Sequence, residues 1–158
     1  MWVLGISFVA GVLATVFFVG MRIKSPLVLN AVRRAGRAMK PLVLKSSGTP
    51  GGMASVIRHV GRTSGNGYET PVNAVATEDG FVIALPYGLN TDWLKNVLAS
   101  GSATIVHEGD TTKVEHPEIV PLAIAEALFS EKDQRVHRRF RVEDYLLLDR
   151  AGSDEPVR

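Results

Sequence analysis

The hydrophobic pattern of this 158-residue chain begins with a long apolar run. No charged side chain occurs from Met1 to Met21, and Arg22 and Lys24 follow directly. About twenty residues, each rising roughly 1.5 Å, match the ~30 Å hydrocarbon core of a bilayer. Because the first basic residues lie on the C-terminal side of this run, the positive-inside rule places the rest of the chain in the cytoplasm. The pattern predicts a single-pass anchor of the cell membrane over residues 1–21.

Two other interpretations of the apolar run are a cleaved signal peptide and a buried core helix. A signal peptide usually begins with basic residues, which are missing here, and Val12-Leu13-Ala14 is a poor cleavage site followed by more apolar residues. A core helix of this kind would need a larger partner core. The membrane anchor is therefore the favoured interpretation.

Residues 22–45 form a basic segment with helical periodicity. Ser25-Pro26 is typical of a helix start. Apolar and basic side chains then occupy different positions of the helix, namely Val28, Val32, Ala35 and Met39 against Arg33, Arg34, Arg37 and Lys40. We expect an amphipathic helix on the inner membrane surface. The alternative is a solvated helix packed on the domain, and nucleic-acid binding is disfavoured because no aromatic residue interleaves with the charges.

After a turn-rich linker at residues 46–52, short apolar runs separated by turn signals predict one β domain over residues 53–150. The predicted strands are Ser55–Val60, Thr70–Ala76, Phe81–Leu85, Ala103–His107, Thr111–Val114 and Tyr145–Leu148. Two helices, from Thr91 or Asp92 to Ala99 and from about Pro121 to Phe129, interrupt them. Hairpins with few helices close most economically as a small barrel. The predicted fold class is mainly β with flanking helices (α+β), a six-stranded barrel, and residues 151–158 are expected to form a disordered tail.

Composition and charge exclude some classes of function and favour others. The chain has no cysteine, which excludes disulfides, thiolate nucleophiles and cysteine-based metal sites. Residues 1–68 carry nine Lys or Arg and no acid, whereas residues 69–158 carry nine against sixteen Asp or Glu, so the first part is +9 and the second −7. The basic part favours an anionic partner, and the preceding apolar run indicates membrane lipids. The four histidines show no ligand spacing, so no metal site is predicted.

One motif carries most of the functional information. Gly61-Arg62-Thr63-Ser64-Gly65 combines two glycines with a guanidinium and two hydroxyls, which is typical of a loop that can bind phosphate. Tyr68-Glu69-Thr70-Pro71-Val72 continues it, and Trp93-Leu94-Lys95-Asn96 follows downstream. Individually these residues have ordinary explanations, such as a surface cation or a core tryptophan.

These residues, in this order, resemble the deazaflavin-dependent nitroreductase family from about Met53 to Asp149. The resemblance implies a split β-barrel of the FMN-binding type that binds the deazaflavin coenzyme F420. It implies cofactor-binding roles for Gly61, Arg62, Thr63, Ser64, Gly65, Thr70, Pro71, Val72, Leu85, Pro86, Tyr87, Gly88, Trp93 and Asn96. The chain departs from the family pattern where Thr63 replaces a common lysine and where Thr91-Asp92 precedes the tryptophan.

The activity implied by the resemblance is hydride transfer from reduced F420 to a quinone or a nitroaromatic compound, with FMN as the second choice of cofactor. Tyr87 is the candidate proton donor. A lipid quinone would suit a membrane-tethered protein because the acceptor and the site would share one surface. The alternative from another functional class is a tethered barrel that carries a flavin, haem or a lipid without catalysis. The pattern does not determine the oligomeric state.

Overall fold

The computed structural model describes residues 2–52 and 54–152, and of residues 2–11 it describes the backbone only. Two long helices come first, α1 (Trp2–Arg22) and α2 (Pro26–Leu44). The strands are β1 (Ser55–Val60), β2 (Gly67–Val72), β3 (Ala74–Ala76), β4 (Gly80–Ala84), β5 (Ser102–His107), β6 (Asp110–Pro121) and β7 (Asp144–Arg150). Helix α3 is Asp92–Ser100, α4 is Leu122–Ala125, a 3-10 turn covers Glu126–Leu128, and α5 is Glu131–Phe140. The predicted domain start at Met53 and most of the predicted tail lie outside the described residues.

The described strands form one antiparallel sheet in the order β2-β1-β5-β6-β7-β4-β3. Its two edge strands, β2 and β3, are separated in the chain by Asn73 alone. Because consecutive Cα atoms are about 3.8 Å apart, the two edges must come within about 8 Å of each other at this residue. The sheet is therefore strongly curled into a half-barrel, which fits the split-barrel fold predicted from the sequence.

The prediction of six strands is wrong, because the described sheet has seven. The predicted strand Thr70–Ala76 divides at Asn73, where the chain leaves β1 and begins to pair with β4. The predicted strand Thr111–Val114 is longer, and as β6 it continues to Pro121 through an irregularity between Glu115 and Glu118. The predicted helix Pro121–Phe129 is shorter and ends in the 3-10 turn.

Strand β4 separates two hydrophobic cores. Alternate side chains of a strand point to opposite faces, and here both faces are covered. Phe81 and Ile83 belong to a core shared with Leu94 and Val97 of α3, whereas Val82 and Ala84 face a second core. This second core contains Ala125, Phe129, Val142 and Tyr145, from the region of α4 and α5. The two helical layers thus flank β4 and bring α3 and α5 to the ends of the same strands.

Helices α1 and α2 pack on the domain rather than standing apart from it. Phe17 and Phe18 of α1 contact Phe140 of α5, with ring centroids 6.5 and 5.5 Å apart. The Arg139 guanidinium lies 4.6 Å from the centre of the Phe18 ring. Met21 and Leu29 are buried beside the bend between the two helices.

No single helix in the described part of the chain has both the length and the apolar character needed to cross a membrane. The segments Val12–Arg22 and Pro26–Leu44 meet that requirement only together, and a bend of 104° separates them. The predicted single-pass anchor therefore stays a prediction.

Candidate functional site

A cavity of about 210 Å³ lies between the ends of β2 and β4, the segment leading into α3, and helix α5. Seven of the residues that the sequence predicted as cofactor-binding line it: Pro71, Val72, Leu85, Pro86, Tyr87, Gly88 and Trp93. Its remaining walls are Asn73, Ile83, Ala84, Thr91, Val136, His137, Phe140 and Val142. The side chains are mainly apolar, so a planar ring system is a suitable occupant.

Two basic side chains from the region of α1 and α2 form hydrogen bonds with the backbone at the rim of this cavity. Lys24 Nζ donates to the Pro86 carbonyl at 3.0 Å, and Arg33 Nη2 donates to the Tyr87 carbonyl at 3.1 Å. Burial lowers the pKa of Lys24, and the nearby Glu143 and Asp144 carboxylates oppose this effect. The segment around α2 is thus connected directly to the mouth of the cavity.

Two buried polar atoms near the mouth lack a hydrogen-bond partner among the described residues. They are Arg33 Nε and Thr91 Oγ1. Thr91 lines the cavity, and the guanidinium of Arg33 contacts the backbone of Tyr87, another lining residue. Buried polar groups nearly always have partners, so each unsatisfied one requires an explanation. A ligand with polar edges or ordered water would satisfy both atoms.

The wall formed by α5 contains one buried polar side chain, His137. Its Nδ1 is 3.1 Å from the Tyr145 hydroxyl, and the Phe129 ring packs edge-on against it at 4.7 Å. Burial lowers the pKa of His137, with an opposing contribution from Asp133. Burial also raises the pKa of Tyr145 to about 12, with a further contribution from Glu126. Both groups are therefore neutral near neutral pH.

The predicted phosphate loop, Gly61–Gly65, joins β1 to β2 and lies outside the lining of this cavity. A Cβ at Gly61 would come within 2.6 Å of Ser64 Oγ and 2.7 Å of the Tyr68 ring, so a larger residue would displace these two side chains. Gly65 closes the turn with φ +68° and donates from its N–H to the Gly61 carbonyl. Ser64 Oγ contacts the Tyr68 hydroxyl at 3.1 Å.

Arg62 is engaged within the protein rather than held open for an anion. Its Nη1 donates to Asn96 Oδ1 at 2.8 Å, and its backbone N–H donates to the same oxygen at 3.2 Å. Its Nη2 lies 3.2 Å from the Asp92 carboxylate. Arg62 thus fastens the β1–β2 loop to the first turns of α3.

The network continues inward through a buried histidine. Asn96 Nδ2 lies 3.2 Å from His59 Nδ1, and His59 Nε2 lies 3.2 Å from Thr70 Oγ1. The Tyr68 ring stacks on His59, with centroids 5.8 Å apart. Burial lowers the pKa of His59, and the positive charge of Lys40 on α2 lowers it further.

The structure thus divides the predicted site residues into two groups. Seven line the cavity, while the Gly61–Gly65 loop, Thr70 and Asn96 belong to the loop and network beside α3. Helix α3 connects the two groups. Trp93 lines the cavity, and Asp92 and Asn96 on the same helix bind Arg62. Proximity through one helix is consistent with a shared site, but Arg62 and Trp93 do not line the same cavity.

Sequence reasoning missed Thr91 and His137 in the cavity wall, Arg33 at its rim, and His59 in the network. Arg33 was assigned to a lipid-facing helix. His137 lies on α5, a helix whose sequence is mostly charged and which the predicted elements did not include. The available signal was the apolar positions Val136 and Phe140, which place His137 on the inward side of α5 at helical spacing.

A wider groove of about 700 Å³ runs along the outside of the sheet, past Arg58, Glu69, Lys113 and Glu115. Arg58 and Glu69 pair with each other at 2.9 Å and are about half exposed. We assign the candidate site to the smaller cavity because seven of the predicted cofactor-binding residues line it, Trp93 among them.

Comparison with known proteins does not identify a family. No family model matches the chain, and no curated protein matches it. The deazaflavin-dependent nitroreductase family predicted from the sequence is therefore not confirmed.

Several solved structures are similar in shape. The protein Atu2129 from Agrobacterium tumefaciens, of unknown function, shares 15% identity over 63% of this chain with a TM-score of 0.46. This chain spans about half of that protein, 48% of its length. HutZ, the heme storage protein from Vibrio cholerae, shares 10% identity over 72% of this chain and 88% of its own, with a TM-score of 0.48. A domain-swapped dimer shares 13% identity over 72% of this chain and 96% of its own, with a TM-score of 0.47. At this level of similarity none of them bears on the cofactor or activity of this chain.

Proposed function

We propose that this protein is a membrane-tethered oxidoreductase that binds coenzyme F420 in the 210 Å³ cavity and reduces a quinone or a nitroaromatic compound. The observation that carries the proposal is the composition of the cavity wall. Seven residues implicated by the family resemblance, from three separate segments of the sequence, line one cavity. These segments are separate in the sequence, and the fold brings them to the same cavity.

The size of the cavity suits the ring of the cofactor rather than the whole molecule. Pockets that enclose drug-sized ligands measure about 300–1,000 Å³. At about 210 Å³ this cavity is smaller, so the ring would be enclosed and the tail would leave through the mouth. The same argument applies to FMN, which remains the second choice of cofactor.

The mouth supplies the charge that an anionic tail requires. Lys24 and Arg33 are both at the rim, and Arg33 Nε is buried without a partner among the described residues. The Arg62 guanidinium, in contrast, is already paired with Asp92 and Asn96. We therefore favour Arg33 over Arg62 for the phosphate of the tail, because Arg33 is bound to one backbone carbonyl in the described structure, whereas Arg62 is held by a carboxylate and a buried amide.

The residues of the chain would orient the reactants and exclude water. When bound, the reduced deazaflavin supplies a hydride. Trp93 offers a flat aromatic face to a ring and Leu85 an aliphatic contact, and the buried walls keep bulk solvent from the reacting face. Tyr87, at the mouth and 39% exposed, is the candidate source of a proton.

Membrane attachment is part of the proposal. Large apolar side chains are exposed on α1 and α2, including Leu27 at 83%, Leu42 at 64% and Met39 at 56%. The neighbouring Arg34 and Arg37 are also exposed. An apolar face beside basic residues suits an anionic lipid surface on the cytoplasmic side.

A second candidate function is a carrier that binds a flavin, haem or a lipid without catalysis. The small volume of the cavity favours it, because an enzyme needs room for an acceptor over the ring face. The contacts of Lys24 and Arg33 at the rim narrow that access further.

Titration of the full chain in lipid nanodiscs with F420, FMN and haem separates these functions. The proposal predicts a spectral shift with F420 at micromolar concentration, and oxidation of reduced F420 when menadione is added. Binding without oxidation would support the carrier. A response to haem alone would contradict the proposal.

A further inference from the structure

His137 is a buried polar side chain on an otherwise charged helix. It is 6% exposed, although its neighbours on α5 include the exposed Arg135, Arg138 and Arg139. It lines the cavity, and its Nδ1 contacts the Tyr145 hydroxyl. Its Nε2 has no hydrogen-bond partner among the described residues. This nitrogen is not one of the fully buried atoms that lack a partner in the described part of the chain, so it is open to water or to a ligand in the cavity.

The Tyr145 hydroxyl determines which nitrogen of His137 carries the proton. Tyr145 is fully buried, and His137 Nδ1 is the partner of its hydroxyl within the described structure. A buried O–H must donate to be satisfied, so Tyr145 donates to Nδ1. A neutral imidazole that accepts at Nδ1 carries its proton at Nε2. The free nitrogen of His137 is therefore a donor, and the cavity is the open space that this buried ring adjoins.

We infer that His137 Nε2–H donates a hydrogen bond to an oxygen of the planar ligand in the cavity, either a carbonyl or a nitro oxygen. Tyr145 is then a positioning residue, because it fixes the tautomer and the orientation of the imidazole. The inference rests on the proposed function only in assuming that the same cavity binds a planar ligand.

The chemistry of the pair makes His137 a hydrogen-bond donor rather than a proton source. Releasing the Nε2 proton would require Tyr145 to become a tyrosinate in an apolar core, and its pKa of about 12 opposes this. A donor that stays protonated can stabilise negative charge that develops on a ligand oxygen. The proton itself would come from Tyr87 or from solvent.

The tautomer can be tested without a ligand. In the full chain labelled with ¹⁵N-histidine and held in detergent micelles above neutral pH, we expect Nδ1 of His137 to resonate as an unprotonated nitrogen and Nε2 as an N–H. His137→Gln assigns the signals. Tyr145→Phe keeps the ring and removes the hydroxyl, so the Nε2–H preference should weaken. A wild-type ring protonated at Nδ1 would overturn the inference.

Ligand binding provides the second test, using menadione and 2-methylnaphthalene. The two probes have the same fused rings, and only menadione has carbonyl oxygens. Binding is followed through the indole N–H signal of Trp93. All variants are held in identical micelles, so the uptake of each probe by the detergent is the same and does not affect the comparison between variants. We expect His137→Phe to weaken menadione binding about three- to tenfold, the size of one hydrogen bond, and to change 2-methylnaphthalene binding less than about twofold.

Equal losses for both probes would overturn the inference, because they would indicate a packing role alone. Unchanged binding of menadione would do the same. Neither probe is F420, so failure of F420 to bind would refute the proposed cofactor and leave the role of His137 standing. Conversely, F420 binding with no selective loss of menadione would refute only the role of His137.

Discussion

At the scale of single residues, the main finding is that the cation singled out in the sequence has a structural partner. Arg62 donates twice to Asn96 Oδ1, and Asn96 is only 6% exposed. If a buried amide oxygen loses its hydrogen-bond donors, it is still removed from water, and this lowers the stability of the folded state. Arg62 therefore connects the β1–β2 loop to α3, and we propose the cations at the cavity mouth in its place as the groups that bind an anionic tail.

Arg62→Ala should lower the free energy of unfolding by about 1–2 kcal/mol, because one buried acceptor loses its side-chain donor. It should leave ligand affinity within about twofold of wild type. Arg58→Ala, on strand β1 just before this loop, is the matched control, since its pair with Glu69 is exposed and should contribute about 0.5 kcal/mol or less. Denaturant titration measures both. Equal effects, or a large loss of ligand affinity for Arg62→Ala alone, would contradict this account.

Two buried histidines give the fold a defined response to acid. Burial lowers the pKa values of His59 and His137 from the usual 6.5. The unfolded chain then binds more protons than the folded chain at acidic pH, so their contribution to stability is complete above about pH 6.5 and is lost as pH falls. We expect Tm to fall between about pH 7 and about pH 5. The double variant with glutamine at both positions should show a shallower fall, whereas an equal slope would refute this origin.

At the scale of secondary-structure elements, the sequence predicted correctly those helix and strand bounds that depend on nearby residues. Helix α3 begins at Asp92 as predicted and ends before Gly101, which adopts φ +71° and donates to the Val97 carbonyl. The β1 and β4 strands agree closely with their predicted bounds. The division of the predicted strand at Asn73 could not be seen, because it depends on which neighbours each half pairs with across the sheet.

For helix α2, too, the sequence predicted the element but not its contacts with the rest of the protein. Its periodicity indicated an amphipathic helix, but not which side would contact the domain. The structure uses Leu29 and Arg33 on the inner side and exposes Leu27, Met39 and Leu42. The lipid-binding proposal therefore concerns the outer face alone.

Spin labels test that face directly, because the chain has no cysteine and each introduced cysteine is unique. In nanodiscs containing anionic lipid, labels at Leu27 and Leu42 should be accessible to oxygen and shielded from a water-soluble nickel reagent, as buried lipid contacts are. A label at Leu128, which is 41% exposed on the domain, is the control and should show the reverse. Labels at Leu42 and Leu128 with the same water accessibility would refute membrane contact.

At the scale of the whole molecule, curling of the sheet creates the site. The two sheet edges converge at Asn73, which itself lines the cavity, and α5 covers the opening from the other side. Pro71 to Val72 and Leu85 to Gly88 are close in space because β2 continues into β3, which pairs with β4. The sequence resemblance predicted these residues as one group. It could not predict that His137 completes the wall or that Arg33 contacts the rim, since those contacts depend on how α5 and α2 pack.

The most direct measurement is a titration of F420 into three forms of the full chain in nanodiscs, followed by absorbance. Val136 lines the cavity and is 45% exposed, so Val136→Trp should fill the space at little cost to folding. Leu128→Trp adds the same side chain at a similarly exposed position outside the cavity. We predict that wild type and Leu128→Trp bind alike and that Val136→Trp binds at least tenfold more weakly. Equal binding by all three forms, or no binding by wild type, would contradict the assignment of the cavity as the cofactor site.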